Sequence, residues 1–155
     1  MLMFNTNWKT GSNTKIDYTS IIIQIKEHSK QNGTVYIGTD SFFIKDNCIF
    51  STAICLYGAD NQQGGRYFYT KTKLNKTQFP ELSIRMIKEA ENTISLANTI
   101  MEQIPTAKLE LHLDISPHDA HEGTSHLAKM LVGYVKGSGY ECRTKPHAFA
   151  AASIA

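Results

Sequence analysis

A chain of 155 residues that is 41% hydrophobic and 19% charged has enough apolar material for one domain with a full core, and its composition is that of a soluble globular protein. Its net charge of +2 singles out no partner, and its apolar runs fall short of a membrane span, so no membrane association is expected. Three cysteines without CxxC spacing, Cys48, Cys55 and Cys142, and an opening Met-Leu-Met-Phe with no cationic start read as a cytoplasmic protein with reduced thiols and no signal peptide.

Residues 1–16 are polar, contain Gly11-Ser-Asn13 and read as a loosely held arm. Asp17 to about Lys30 predicts a helix with Ile21, Ile22 and Ile25 on its apolar stripe and Ile23 as a further candidate for it. Asn32-Gly33, tolerant of left-handed backbone, ends it. The stretch Thr34-Val-Tyr-Ile-Gly-Thr-Asp-Ser41 follows as a buried strand delivering an acid, Asp40. Period-two alternation puts Tyr36, Gly38, Asp40 and Phe42 on one face and Val35, Ile37 and Thr39 on the other. Gly38 leaves open space beside that carboxylate and marks a close approach by something else. Lys45-Asp-Asn47 turns the chain into a strand over 48–57, and a polar loop leads to a third strand from Arg66 to about Leu74. Short connections make these three an antiparallel meander.

Pro80 opens a long helix, in the first-turn position that proline favours, and Pro105 follows its end near Gln103. Lys108 to Ile115 alternates cleanly, with Leu109, Leu111, Leu113 and Ile115 facing one way and Glu110, His112 and Asp114 the other. A polar loop, a helix from Ser125 to about Lys136, a short strand from Tyr140 to Lys145 and a small-residue helix from Ala148 complete the chain. The predicted fold is α/β: a mixed five-stranded sheet, a meander followed by αβαβα, with helices on its faces and an extra N-terminal helix, all in one domain over residues 1–155. The helix between the fourth and fifth strands requires a parallel crossover.

Asp114 lies at the C-terminal end of such a strand, where open α/β sheets bind ligands. If the first and fourth strands are neighbours, Asp40 and Asp114 converge. Adjacent carboxylates repel and become stable anions when a hard cation such as Mg²⁺ or Mn²⁺ sits between them. Nucleases use such metals to clamp the attacking and leaving oxygens of a phosphodiester. A third ligand from the long helix would be Glu89 or Glu91, which flank Ala90 by about 100° on either side. Glu81 belongs to the first turn, where an acid serves the helix dipole.

The blocks Ile37-Gly-Thr-Asp-Ser41, Arg85-Met-Ile-Lys-Glu89, His112-Leu-Asp-Ile115 and Lys145-Pro-His-Ala-Phe-Ala-Ala-Ala-Ser153 resemble the YkuK family of bacterial and phage proteins with a ribonuclease H-like fold, over roughly residues 17–155. The resemblance implies that Asp40, Asp114 and a helix acid bind the metal and carry catalysis; Glu89 matches that acid best and Glu91 second. Apart from the resemblance, Ser41, His112 and Lys145 are read as supporting or substrate-contacting residues, with a solvated side chain the alternative for Lys145. The resemblance also places a fourth acid on the last helix, just beyond Ala155, and no acid follows Glu141.

His112, His118 and His121 with Asp114, Asp119 and Glu122 form a dense cluster, but with no helical His-x₃-His pair. It reads as a solvated loop, with His112 a partner of Asp114. Arg66, Lys71, Lys73 and Lys76, interleaved with Tyr67, Phe68 and Tyr69, suit either a nucleic-acid backbone with stacked bases or an exposed strand guarded by lysines. The expectation is a Mg²⁺- or Mn²⁺-dependent nuclease acting on RNA, DNA or a hybrid. The alternative is a non-catalytic nucleic-acid- or protein-binding module of the same fold.

Overall fold

The computed structural model describes residues 7–116 and 122–155. One seven-stranded sheet runs through the molecule. Its strands in chain order are β1 (Trp8–Thr10), β2 (Lys15–Ile16), β3 (Thr34–Ile44), β4 (Asn47–Tyr57), β5 (Arg66–Asn75), β6 (Lys108–Leu113) and β7 (Glu141–Arg143). They lie in the order β2-β1-β5-β4-β3-β6-β7. The helices are α1 (Tyr18–Lys30), α2 (Leu82–Gln103) and α3 (Glu122–Gly137), followed by a short C-terminal helical segment, Ala150–Ile154. No helix among the described residues is long and apolar enough to cross a membrane.

The expected meander is present, with β4 antiparallel to both β3 and β5. β3 and β6 are parallel neighbours, and β6 and β7 are parallel across α3. The five-strand expectation is corrected to seven, because residues 8–10 and 15–16 form strands rather than lying in a loose arm. These strands are too short to show alternation. They are fixed by pairing at long range, Lys9 with Tyr69 and Thr10 with Phe68, and by Trp8, which is buried in the core. A second correction concerns Pro80, which precedes α2 instead of lying in its first turn; Glu81 is the N-cap.

Local chemistry explains the ends that the sequence marked. Asp17 caps α1 by accepting the Ser20 N–H at 2.8 Å. Asn32 has a φ of 62° just past the helix, and Lys45 has a φ of 54° in the β3–β4 turn.

The two faces of the sheet have different covers. The inner face carries Val35, Ile37, Ile54, Leu56, Leu109 and Leu111 against α1, α2 and α3, forming the main core with Ile21, Ile25, Leu96 and Ile100. Burial of such side chains is the main stabilising contribution, at about 1.5–3 kcal/mol each. The outer face is covered in part by the C-terminal segment, whose Ala150 packs with Ala53 and Cys55. A Cβ on Gly38 would lie 2.5 Å from the Ala151 backbone nitrogen. Gly38 therefore does mark a close approach, but the space beside Asp40 expected to be open is filled at that point by the C-terminal backbone.

Candidate active site

Asp40 projects from β3 just past the last residue of that strand paired with β6, since Thr39 faces Leu113. The next residue after Leu113 is Asp114, so the parallel register brings Asp40 and Asp114 side by side where the ladder ends. β3 continues alone on that edge to Ile44. The half-buried Asp40 carboxylate accepts the Ser41 N–H at 2.9 Å through Oδ1.

Alternation turns Ser41 toward the inner face, and there it meets α2. Its hydroxyl donates to Glu89 Oε2 at 2.5 Å. Arg85, one turn before Glu89, donates from Nε to Ser41 Oγ at 3.2 Å and from Nη2 to the Ser41 carbonyl at 2.8 Å. Beneath them lies a buried hydroxyl chain. Thr93 Oγ1 lies 2.8 Å from Thr39 Oγ1, which lies 3.0 Å from Thr52 Oγ1. Thr93 Oγ1 is also 3.0 Å from the Glu89 carbonyl. This chain ties the Glu89 turn of α2 to β3 and β4.

On the other side, the Lys145 N–H donates to the Ile115 carbonyl at 3.0 Å, and Lys145 Nζ reaches to 3.3 Å from Asp114 Oδ1. That contact is an ion pair without hydrogen-bond geometry. Asp114 Oδ1 is buried and has no hydrogen-bond partner.

The electrostatics record mutual repulsion. Burial pushes the Glu89 carboxyl up to about 8; Asp40 and Asp114 push in the same direction, while the Ser41 hydroxyl and Arg85 oppose them. Burial also raises Asp40, with Asp114 adding to the rise and the Ser41 N–H, Arg85 and Lys145 opposing it. Asp40 and Glu89 thus share one region with Asp114, and burial there outweighs the compensation from Ser41, Arg85 and Lys145. Hard oxygen donors, one of them a buried atom that makes no hydrogen bond, fit a divalent cation such as Mg²⁺ or Mn²⁺ in kind. Among the described residues, however, no three His, Cys, Asp or Glu side chains stand close enough to hold a metal as they are placed.

The remaining sequence candidates fall in different places. Glu91 is exposed, whereas Glu89 is partly buried beside β3, so the structure separates the two helix acids. His112 is fully buried and its partner is not Asp114: Nε2 meets Glu110 Oε1 at 3.1 Å, and Nδ1 accepts the Ala150 N–H at 3.1 Å. Glu110 also pairs with Arg143. Because Nδ1 accepts, His112 is neutral with its proton on Nε2, and burial holds its pKa below the ordinary value. His118, Asp119 and His121 lie outside the described residues, as does the side chain of Glu122. A cavity of about 500 Å³ between the C-terminal segment and β4–β5 is lined by Cys55, Tyr67, Phe149 and Ile154 among others, and none of the three carboxylates borders it.

Arg85 is the residue that sequence reasoning missed as part of the site. Its signal was the i, i+4 spacing to Glu89 on a helix already assigned an acid facing the sheet.

No curated protein matches the chain. The Ribonuclease H-like family model matches residues 18–155, which takes in every strand from β3 onward, all three helices and the three carboxylates. The chain belongs to the ribonuclease H-like family.

Proposed function

We propose that this protein is a divalent-metal-dependent nuclease that hydrolyses phosphodiester bonds at Asp40, Glu89 and Asp114, and that within its family it is of the YkuK type. The Gly-Thr-Asp-Ser and Lys-Pro-x-x-Phe-x-Ala-x-Ser blocks support the narrower assignment. The observation that carries the nuclease reading is that carboxylates from β3, α2 and the end of β6 lie near enough to act on one another electrostatically. Burial, and to a lesser extent the neighbouring carboxylates, raises the pKa of Glu89 and of Asp40.

Asp40, Glu89 and Asp114 would hold Mg²⁺ or Mn²⁺. When bound, the ion supplies positive charge to a phosphodiester and orients its attacking and leaving oxygens. The chain's own residues do the rest. Ser41 and Arg85 hold Glu89 against β3, and the Thr39–Thr52–Thr93 chain fixes the height of α2 above the sheet. Lys145 offers a cation beside Asp114 to a substrate phosphate.

The test is calorimetric titration of Mg²⁺ and Mn²⁺ into the wild type, Asp40→Asn and Asp114→Asn, followed by cleavage assays on RNA, DNA and hybrid substrates. Metal binding and metal-dependent cleavage lost in both variants support the assignment. Cleavage retained by Asp40→Asn overturns it.

A second reading is a binding module of the same fold without catalysis. It is favoured by the spacing of the acids, no three of which form a ready metal cage among the described residues. Salt-dependent nucleic-acid binding without metal-dependent product would select it.

A further inference from the structure

The ladder register extends the outer face of the site into rows across β3, β4 and β5. Asp40 faces Ser51, which faces Lys71. Phe42 faces Ile49, which faces Lys73. Directly paired residues project to the same face of a sheet, so Asp40, Phe42, Lys71 and Lys73 share one surface. The row behind them, Gly38–Ala53–Tyr69, lies where the C-terminal segment packs. Beyond that segment, Lys71 and Lys73 are exposed.

Phe42 is an odd residue for this position. It is 37% exposed and lies two residues from a candidate catalytic acid. Lys71 Nζ lies 5.6 Å from the centre of its ring and 5.8 Å from the centre of the Tyr69 ring, so one ammonium is held between two aromatic faces. Phe43, on the opposite face of β3, has a different setting. Arg85 lies over its ring at 4.4 Å and Lys76 at 5.1 Å, which fixes the guanidinium that holds Ser41. Phe43, itself 38% exposed, is thus engaged by two cations that include the site's arginine, whereas Phe42 has Lys71 beside its ring.

We infer that Phe42, Tyr69, Lys71 and Lys73 form a subsite for single-stranded nucleic acid, with a base stacked on Phe42 and the phosphate backbone following the lysines across β5. The inference rests on the nucleic-acid side of the proposed function and names its substrate class. Charge complementarity selects a polyanion. The aromatic ring selects an unpaired base, because bases within a duplex are already stacked on one another. Lys71 is two strands from Asp40, about 10 Å along the row, so a strand bound there extends toward Asp40.

The test is fluorescence anisotropy of the full chain in EDTA. The probes are labelled oligodeoxythymidylate and oligouridylate of about twelve nucleotides and a duplex of equal length. Single strands of at least one sugar type should bind more tightly than the duplex. Phe42→Ala should weaken single-strand binding about tenfold and leave duplex binding unchanged, with Phe42→Trp restoring it. Lys71→Gln should reduce the salt dependence of binding by about one counterion. Thermal melts establish that each variant is folded. Equal single-strand affinity for Phe42→Ala and wild type, a preference for the duplex, or no binding at low salt overturns the inference. EDTA separates the two readings. Binding with this pattern in EDTA and no cleavage once Mg²⁺ or Mn²⁺ replaces the EDTA sustains the subsite while the nuclease reading fails. Metal-dependent cleavage whose KM is unmoved by Phe42→Ala does the reverse.

Discussion

Ser41 and Glu89 are joined by a 2.5 Å hydrogen bond across the interface between β3 and α2. The bond steadies the most acid-perturbed carboxyl described and is among the contacts that lower its pKa. Ser41→Ala removes that donor and should raise the Glu89 pKa above its value of about 8. NMR titration of the Glu89 side-chain carbon checks this; an unchanged or lower pKa would show that the bond does not stabilise the anion.

Glu89 also gives stability a definite pH dependence. Its folded pKa is raised to about 8 from an ordinary value of 4.5, so between these pH values the folded chain binds a proton that the unfolded chain releases. The Glu89 contribution is fully present below 4.5, falls as pH rises and levels off above about 8. Glu89→Gln should therefore melt higher than wild type at pH 8 and above, by several degrees, since 1 kcal/mol is worth about 2–4 °C in a domain of this size. Melting curves across this range should show the gap widening with pH; a constant gap would refute the linkage.

Metal binding should release protons. A carboxyl with a pKa of about 8 is largely protonated at neutral pH and must ionise to bind a cation. Mg²⁺ affinity should rise with pH up to about 8 and then flatten. Calorimetry at pH 7 in buffers of different ionisation enthalpy should give different observed heats. Identical heats would mean that Glu89 does not take part.

Gly38→Ala should dislodge the C-terminal segment. The new methyl carbon would lie 2.5 Å from the Ala151 nitrogen and 2.8 Å from the Ala150 carbonyl carbon, both of them backbone atoms with little room to retreat. We expect a loss of about 1–3 kcal/mol in urea unfolding and faster amide exchange at residues 150–152. Wild-type stability would show that the segment shifts without cost.

His112 fastens the same segment from β6. Its folded pKa is depressed, so its contribution is present above the ordinary value of 6.5 and is lost as pH falls below it toward the folded value. Protonating Nδ1 would set an N–H against the Ala150 N–H and leave that buried donor without an acceptor. Protection of the Ala150 amide, taken relative to its intrinsic exchange rate at each pH, should fall on acidification in the wild type. In His112→Ala protection should be low at every pH tested. Protection at Ala150 that is the same at every pH in the wild type would refute this.

Much of the site was legible because its parts sit on regular elements. Asp40 was marked by a β-branched run and by period-two alternation, and Glu89 by its place beside an apolar helical stripe. What escaped depended on contacts distant in sequence. Trp8–Thr10 has no alternation long enough to read and owes its form to Phe68 and Tyr69. The choice between Glu89 and Glu91 depended on the orientation of α2, which Ser41, Thr39 and Thr93 set by hydrogen bonds between chain-distant hydroxyls. The partner of His112 was misread because alternation places Glu110 and Asp114 equally on its face, and only the packing of Arg143 and Ala150 decides between them.

β3 pairs with β4 at every one of its 11 positions, from Thr34 with Tyr57 to Ile44 with Asn47. A carboxylate rooted in the middle of such a ladder has a backbone that cannot travel. Glu89 reaches the site through a flexible side chain, and Asp114 follows the last residue of its own strand. The three acids are thus one anchor and two adjusters. If the site takes a cation, any contraction around it would be made by Glu89 and Asp114 moving toward Asp40, and binding would depend on how freely those two can follow.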